Sequence, residues 1–183
     1  PKLALSLDVQ AEINACQYAI AGMKDMRTLQ VIKKSQPYGD AFYDHYTFLD
    51  DTYSFYKASE VFSKENSKHQ YEPIYAFKRG MKFRVFASYG PESPNLDVYI
   101  QRKNAANEWD KPIKIQGTVN TIQDEVYPFF DAENGYLYFS SKGHQSMGGF
   151  DLYRAIYSLE TNVSSDVENL HFPFSSPNDD YFY

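Results

Sequence analysis

An internal repeat of about 55 residues constrains this chain more than any other feature of its sequence. Pro73 of Tyr71-Glu72-Pro73-Ile74-Tyr75 and Pro128 of Val126-Tyr127-Pro128-Phe129-Phe130 lie 55 positions apart. Phe83-Arg84-Val85-Phe86-Ala87-Ser88 matches Tyr136-Leu137-Tyr138-Phe139-Ser140-Ser141 at an offset of 53. Leu96-Asp97-Val98-Tyr99 matches Phe150-Asp151-Leu152-Tyr153 at 54, and Asn120, Asp124 and Glu125 match Ser175, Asp179 and Asp180 at 55. The offset changes only in turn-like stretches, where insertions are tolerated. Each unit holds about four short runs of aromatic and β-branched residues, broken by Gly, Pro, Asn and Asp. Such a unit cannot bury both its faces alone and must stack on neighbours, which is the pattern of a β-propeller blade. The expected fold is therefore all-β: a partial β-propeller of four-stranded blades, two clear and one weak, preceded by an N-terminal α-helix.

Within each unit the first strand carries Pro73 or Pro128, which cannot donate to a ladder. The second, Phe83–Ser88 or Tyr136–Ser141, is nearly all apolar, as a strand buried on both faces would be. Asp97 and Asp151 recur at one position before the third strand's apolar triplet. A catalytic carboxylate has no reason to recur in every repeat. The expectation is a structural role, accepting backbone amides of the preceding loop. The fourth strand follows Trp109 in the middle unit. In the last unit Ser164 and Val167 stand where Trp109 and Pro112 do, so that strand is less clearly marked. Tyr53–Phe62 and Asn104–Asp110 have weak helical alternatives and read as loops.

Ahead of the repeats, Val9, Ile13, Cys16, Ile20 and Met23 step by 4, 3, 4 and 3, one stripe of a helix from about Ser6 to Met26. The stripe is expected to pack against another surface, with Cys16 as a small buried hydrophobe. Two regions follow: 1–28, a helix that would fit the end of an upstream helical repeat domain, and 29–183, the propeller fragment beginning with the strand-like Leu29–Ile32. The chain opens at Pro1 without a signal-type segment and stops at a strand-like start, Asn178–Tyr183, so we expect a piece of something longer. From Gln36 onward there is room for fewer than three units, too few to close a ring.

Net charge is −6 and pI about 5.2, which argues against nucleic acid or an anionic membrane as partner. No apolar run reaches the ~18 residues of a membrane span. One cysteine excludes an internal disulfide framework. His45, His69, His144 and His171 share no zinc-type spacing, and Asp40–Asp51 lacks the central Gly of a calcium loop. Gly143, Gly148 and Gly149 lack the Gly-Lys-Ser/Thr ending of a phosphate cradle, and Ser140, Ser141 and Ser146 sit in no Gly-x-Ser-x-Gly elbow. We therefore expect no enzyme, cofactor or metal. Tyr 17, Phe 14 and Trp 1 make the chain 17% aromatic, which reads first as sheet core and second as a glycan- or peptide-binding face.

The run Asp124-Glu125-Val126-Tyr127-Pro128-Phe129-Phe130-Asp131-Ala132-Glu133-Asn134-Gly135 with Tyr136–Ser141 resembles the TolB-type, WD-like β-propeller repeat. Gly143-His144-Gln145-Ser146-Met147-Gly148-Gly149-Phe150-Asp151-Leu152-Tyr153 is similar to the Gly-rich form of large bacterial envelope proteins, in which blades follow tetratricopeptide-type helices and precede OmpA-like domains. Tyr38–Tyr46 resembles the first strand of that group. The likeness covers roughly Gln36 to Tyr183. It implies a non-enzymatic interaction scaffold, periplasmic or outer-membrane-associated, with envelope lipoproteins or peptidoglycan-associated proteins as partners. A carbohydrate-recognising module or the non-catalytic propeller of a hydrolase is the alternative. The Gly143–Gly149 loop, with His144, Gln145 and Met147, is the expected partner-binding surface.

Overall fold

A computed structural model describes residues 2–24, 53–57, 74–90, 93–146 and 148–181. The described chain is one helix and ten strands: α1 (Lys2–Lys24), β1 (Tyr53–Lys57), β2 (Ile74–Lys78), β3 (Phe83–Tyr89), β4 (Leu96–Arg102), β5 (Ile113–Lys114), β6 (Gln116–Gly117), β7 (Glu125–Asp131), β8 (Tyr136–Ser141), β9 (Asp151–Ser158) and β10 (Val163–Asn169). The third repeat forms an antiparallel four-stranded meander, β7-β8-β9-β10, with β6 added in parallel to β10. The second repeat forms the antiparallel sheet β3-β4-β5, and β1 pairs with β2.

Alternation of side chains builds the packing. Val85 opposite Ile100 and Ala87 opposite Val98 share one face of β3–β4. That face meets Leu137, Phe139, Tyr153 and Ala155 of β8–β9, with Ile115 and Val119 filling the junction. Each Val, Leu, Ile or Phe among them contributes roughly 1.5–3 kcal/mol by leaving water, and each Ala less. Val85, Phe86 and Ala87 are all buried, so β3 is covered on both faces as its apolar run requires.

Pro128 lies in β7, an edge strand, where the register shifts between Val126 and Phe129 and Tyr127 takes φ 50°. At a bulge on an edge, the missing N–H costs no ladder bond. Pro73 lies outside the described residues. Gly117 joins the two sheets: it takes φ 94°, and a Cβ there would come 1.9 Å from the Ser164 carbonyl oxygen.

Several expectations change. Val9, Ile13, Cys16 and Ile20 are exposed, so the helical stripe is not packed against any described residue. Periodicity defines a face but not what covers it. Among the described residues, α1 reaches the sheets at Tyr18, whose hydroxyl lies 3.2 Å from His171 Nδ1. Met23's side chain, Leu29–Ile32 and Tyr38–Tyr46 fall outside the described residues. Tyr53–Lys57 is a strand rather than a loop, pairing antiparallel with β2 along its whole length, as its Tyr- and Phe-rich composition favours. That pairing makes the second repeat's sheet three-stranded. The last repeat's fourth strand, weakly marked in sequence, is β10 with seven residues. Arg154 Nε donates to Glu168 Oε2 (2.8 Å) across it.

Candidate functional site

Connector residues matched by the repeat make matched hydrogen bonds. Asn120 Oδ1 accepts from Val98 N (2.6 Å), and Ser175 Oγ accepts from Leu152 N (3.1 Å). Asp124 Oδ1 accepts from Leu96 N and Asp179 Oδ1 from Phe150 N, both at 2.9 Å. Glu125 Oε2 takes Thr121 N (2.9 Å) and Asp180 Oδ2 takes Ser176 N (2.6 Å). Each connector thus returns to the third strand of the unit it has just left.

Asp97 and Asp151 are fully buried. The amides just before them, Leu96 N and Phe150 N, donate to Asp124 and Asp179. Asp97 Oδ1 is ion-paired with Lys114 Nζ at 2.7 Å. Asp151 Oδ2 accepts from Asn169 Nδ2 at 2.8 Å. Lys114 on β5 and Asn169 on β10 come from the fourth strands of the two units. Burial also raises the Glu125 carboxyl above its usual range, against hydrogen bonds from Thr121 and Ser141 that lower it.

In the Gly-rich loop His144 points inward. Its ring packs against Phe139 and Tyr153, and Nε2 donates to the Val119 carbonyl (3.0 Å). Burial lowers its pKa. Gln145 has an exposed side chain, but its carbonyl accepts from Tyr153 OH (2.6 Å) and Asn169 Nδ2 (3.1 Å). Met147 lies outside the described residues. The loop is tied to the body on two sides and offers Gln145 alone of the described pair to solvent.

A different place gathers chemistry. A cleft of about 470 Å³ is lined by Lys78, Arg79, Arg84 and Lys103 together with Tyr56, Phe77, Phe83 and Trp109. Arg84 and Gln101 are directly opposite across β3–β4, and Arg84 Nε donates to Gln101 Oε1 (2.8 Å). Gln101 Nε2 is itself anchored on the Asp110 carbonyl (2.6 Å). The guanidinium is so held over the Trp109 ring, 4.2 Å from its centroid, with Lys103 Nζ at 5.1 Å. Lys103 and Trp109 form an antiparallel bridge around the turn at Asn104–Glu108. Burial lowers the Arg84 pKa to about 10, which leaves it charged at neutral pH. Among the described lining residues there are four cations and no carboxylate, in a chain of net charge −6.

Sequence reasoning used Trp109 only as a strand marker and passed over Arg84. The available signal was a lone cation interrupting the apolar run of β3. No family model, curated protein or solved structure matches this chain.

Proposed function

We propose that the chain is part of a TolB-type β-propeller and serves as a non-enzymatic binding scaffold of a bacterial envelope. In this reading the basic, aromatic cleft is its recognition site and an acidic glycan its ligand. The stacked sheets support the architecture: a four-stranded meander lies face to face on its repeat partner, and the same connector hydrogen bonds occur in both. The envelope setting rests on the sequence resemblance alone.

The observation that carries the ligand class is the cleft. Its volume falls within the range of small-molecule sites, roughly 300–1,000 Å³. Flat aromatic rings suit the C–H faces of sugars, and Lys and Arg suit their carboxylates. Arg84 is oriented before any ligand arrives, so little freedom is lost on binding. A protein partner at the Gly143–Gly149 loop is less favoured, since His144 is turned into the body.

Trp109 is the sole tryptophan and reports directly on the cleft. Titration with polygalacturonate should change its fluorescence, and neutral dextran should not. Added salt should weaken the response, as expected for exposed charge pairing. An Arg84→Met, Lys103→Met variant should lose it. Equal responses to both polymers, or none to either, would refute the reading.

A further inference from the structure

We propose that Asn134 is a spontaneous modification site, its carboxamide convertible to a carboxylate by attack of the Gly135 nitrogen, and that the folded turn holds the reaction off through Asp131. Asn134-Gly135 is the one Asn-Gly pair of the chain. It lies in the β7–β8 turn, with Asn134 exposed and Gly135 at φ 73°. Glycine matters here because no Cβ hinders the approach of its nitrogen to the preceding side chain. In the reaction the Gly135 nitrogen loses its proton and bonds to Asn134 Cγ. The Cγ–Nδ2 bond breaks, and ammonia leaves. Water then opens the cyclic imide at either carbonyl. One opening gives aspartate. The other gives an isoaspartyl linkage, in which the main chain runs through the former side chain and is longer by one methylene. The balance is amide plus water to acid plus ammonia, with nothing oxidised or reduced.

Asp131 holds both reacting groups. Asn134 Nδ2 donates to Asp131 Oδ2 (2.7 Å), so the electrophilic carboxamide is turned to that carboxylate. Asp131 Oδ1 accepts from Glu133 N (3.0 Å) and Asn134 N (3.3 Å), which fixes the carboxylate in the turn. The nucleophile is tied as well: Gly135 N donates to the Asp131 carbonyl (2.9 Å). The bond from Asn134 keeps the Asp131 carboxyl below its usual range, so the acceptor is charged at neutral pH and the bond is of the stronger, charge-assisted kind. Ring closure requires the carboxamide to leave Asp131 and the Gly135 nitrogen to give up its acceptor.

The products fit the turn worse than the carboxamide does. Aspartate at 134 has no donor for Asp131 and sets a like charge beside it. The isoaspartyl form displaces Gly135, whose carbonyl accepts from the buried Tyr157 N of β9 (2.9 Å). Modification is therefore a reaction of the opened turn, and the modified turn recloses less readily. None of these residues lines the cleft, so the site and the ligand reading stand or fall separately.

Peptide mapping by mass spectrometry tests this, following conversion of Asn134 with time at mildly alkaline pH, in the folded protein and in denaturant. The folded parent should react at least about tenfold more slowly than the denatured one, because the turn is open for only part of the time. Asp131→Ala should speed the folded reaction about tenfold, the factor that one charge-assisted hydrogen bond is worth, and leave the denatured rate unchanged. Circular dichroism checks that the variant is folded during the incubation. Asp131→Asn, which keeps an acceptor for the Glu133 amide, takes its place if it is not, and should also react faster than the parent. A folded parent as fast as the denatured one overturns the proposal. So does a folded Asp131 variant no faster than the parent, or one accelerated equally in denaturant, which would place the effect in local sequence and not in the fold.

Discussion

Asn120→Ala tests the connector hydrogen bonds where they concentrate. The carboxamide accepts from Val98 N (2.6 Å) and donates to the carbonyls of Val98 (3.1 Å) and Ile115 (2.9 Å). Val98 O keeps a second donor in Ile115 N (3.0 Å), so its loss is small. Val98 N and Ile115 O belong to buried residues and would be left without a partner. An orphaned buried amide costs about 1–3 kcal/mol and a lost carbonyl bond about 1. The sum is about 2–4 kcal/mol, or a fall of roughly 5–12 °C in Tm for a chain of this length. The repeat supplies its own control. Ser175 holds the matched position and meets only Leu152, accepting from its N at 3.1 Å and donating weakly to its O at 3.4 Å. Ser175→Ala should therefore cost less than Asn120→Ala, and Asn120→Ser should recover part of the loss. Differential scanning calorimetry on the four proteins reads the order. An Asn120→Ala variant melting within a degree of the parent, or Ser175→Ala costing as much, would refute the account.

Glu125 has a folded-state pKa raised by burial, so its protonated form is favoured on folding. Its contribution is fully present below the ordinary carboxylate pKa and is lost as pH rises through the raised value. Glu125→Gln should therefore lose less stability between pH 4 and 7 than the parent does, read as the Tm difference; identical slopes would count against it. Cys16 is exposed on α1 and is the sole cysteine, so a neutral-pH thiol reagent should label it fast without denaturant. Slow labelling would mean that the apolar stripe is covered. Gly117→Ala forces a Cβ against the Ser164 carbonyl at φ 94° and should cost about 2 kcal/mol or more by denaturant melting. A neutral result would show that the β6–β10 pairing is dispensable.

Much of the β architecture was legible because repetition marks positions twice. The matches between Asn120, Asp124 and Glu125 and Ser175, Asp179 and Asp180 predicted equivalence, and the two sets bond alike. What sequence could not tell was which carboxylate takes the backbone. Asp97 and Asp124 are both positioned near Leu96 N, and only three-dimensional distance decides between them. The exposed stripe of α1 failed for another reason: a 4-3-4-3 spacing reports a face, while its cover lies elsewhere. A Gly-rich stretch says nothing of the Phe139 and Tyr153 rings beneath it, against which His144 packs. The cleft escaped notice because Arg84, Lys103 and Trp109 are dispersed along the chain and meet only through the β3–β4 register.

The connector at Thr118–Thr121 has a consequence for how the molecule opens. Thr118 N and Val119 N both donate to Ser164 Oγ at 3.1 Å, and the Val119 carbonyl takes His144 Nε2. Asn120, one residue on, holds Val98 in the preceding sheet. The segment is therefore gripped from both sides, and neither sheet can peel away without breaking it. In native-state hydrogen exchange its amides should behave as core amides do, exchanging only when the whole β3–β10 body unfolds. The slowest-exchanging backbone of this protein then includes a stretch with no regular secondary structure, and the two repeats unfold as one cooperative body instead of one after the other.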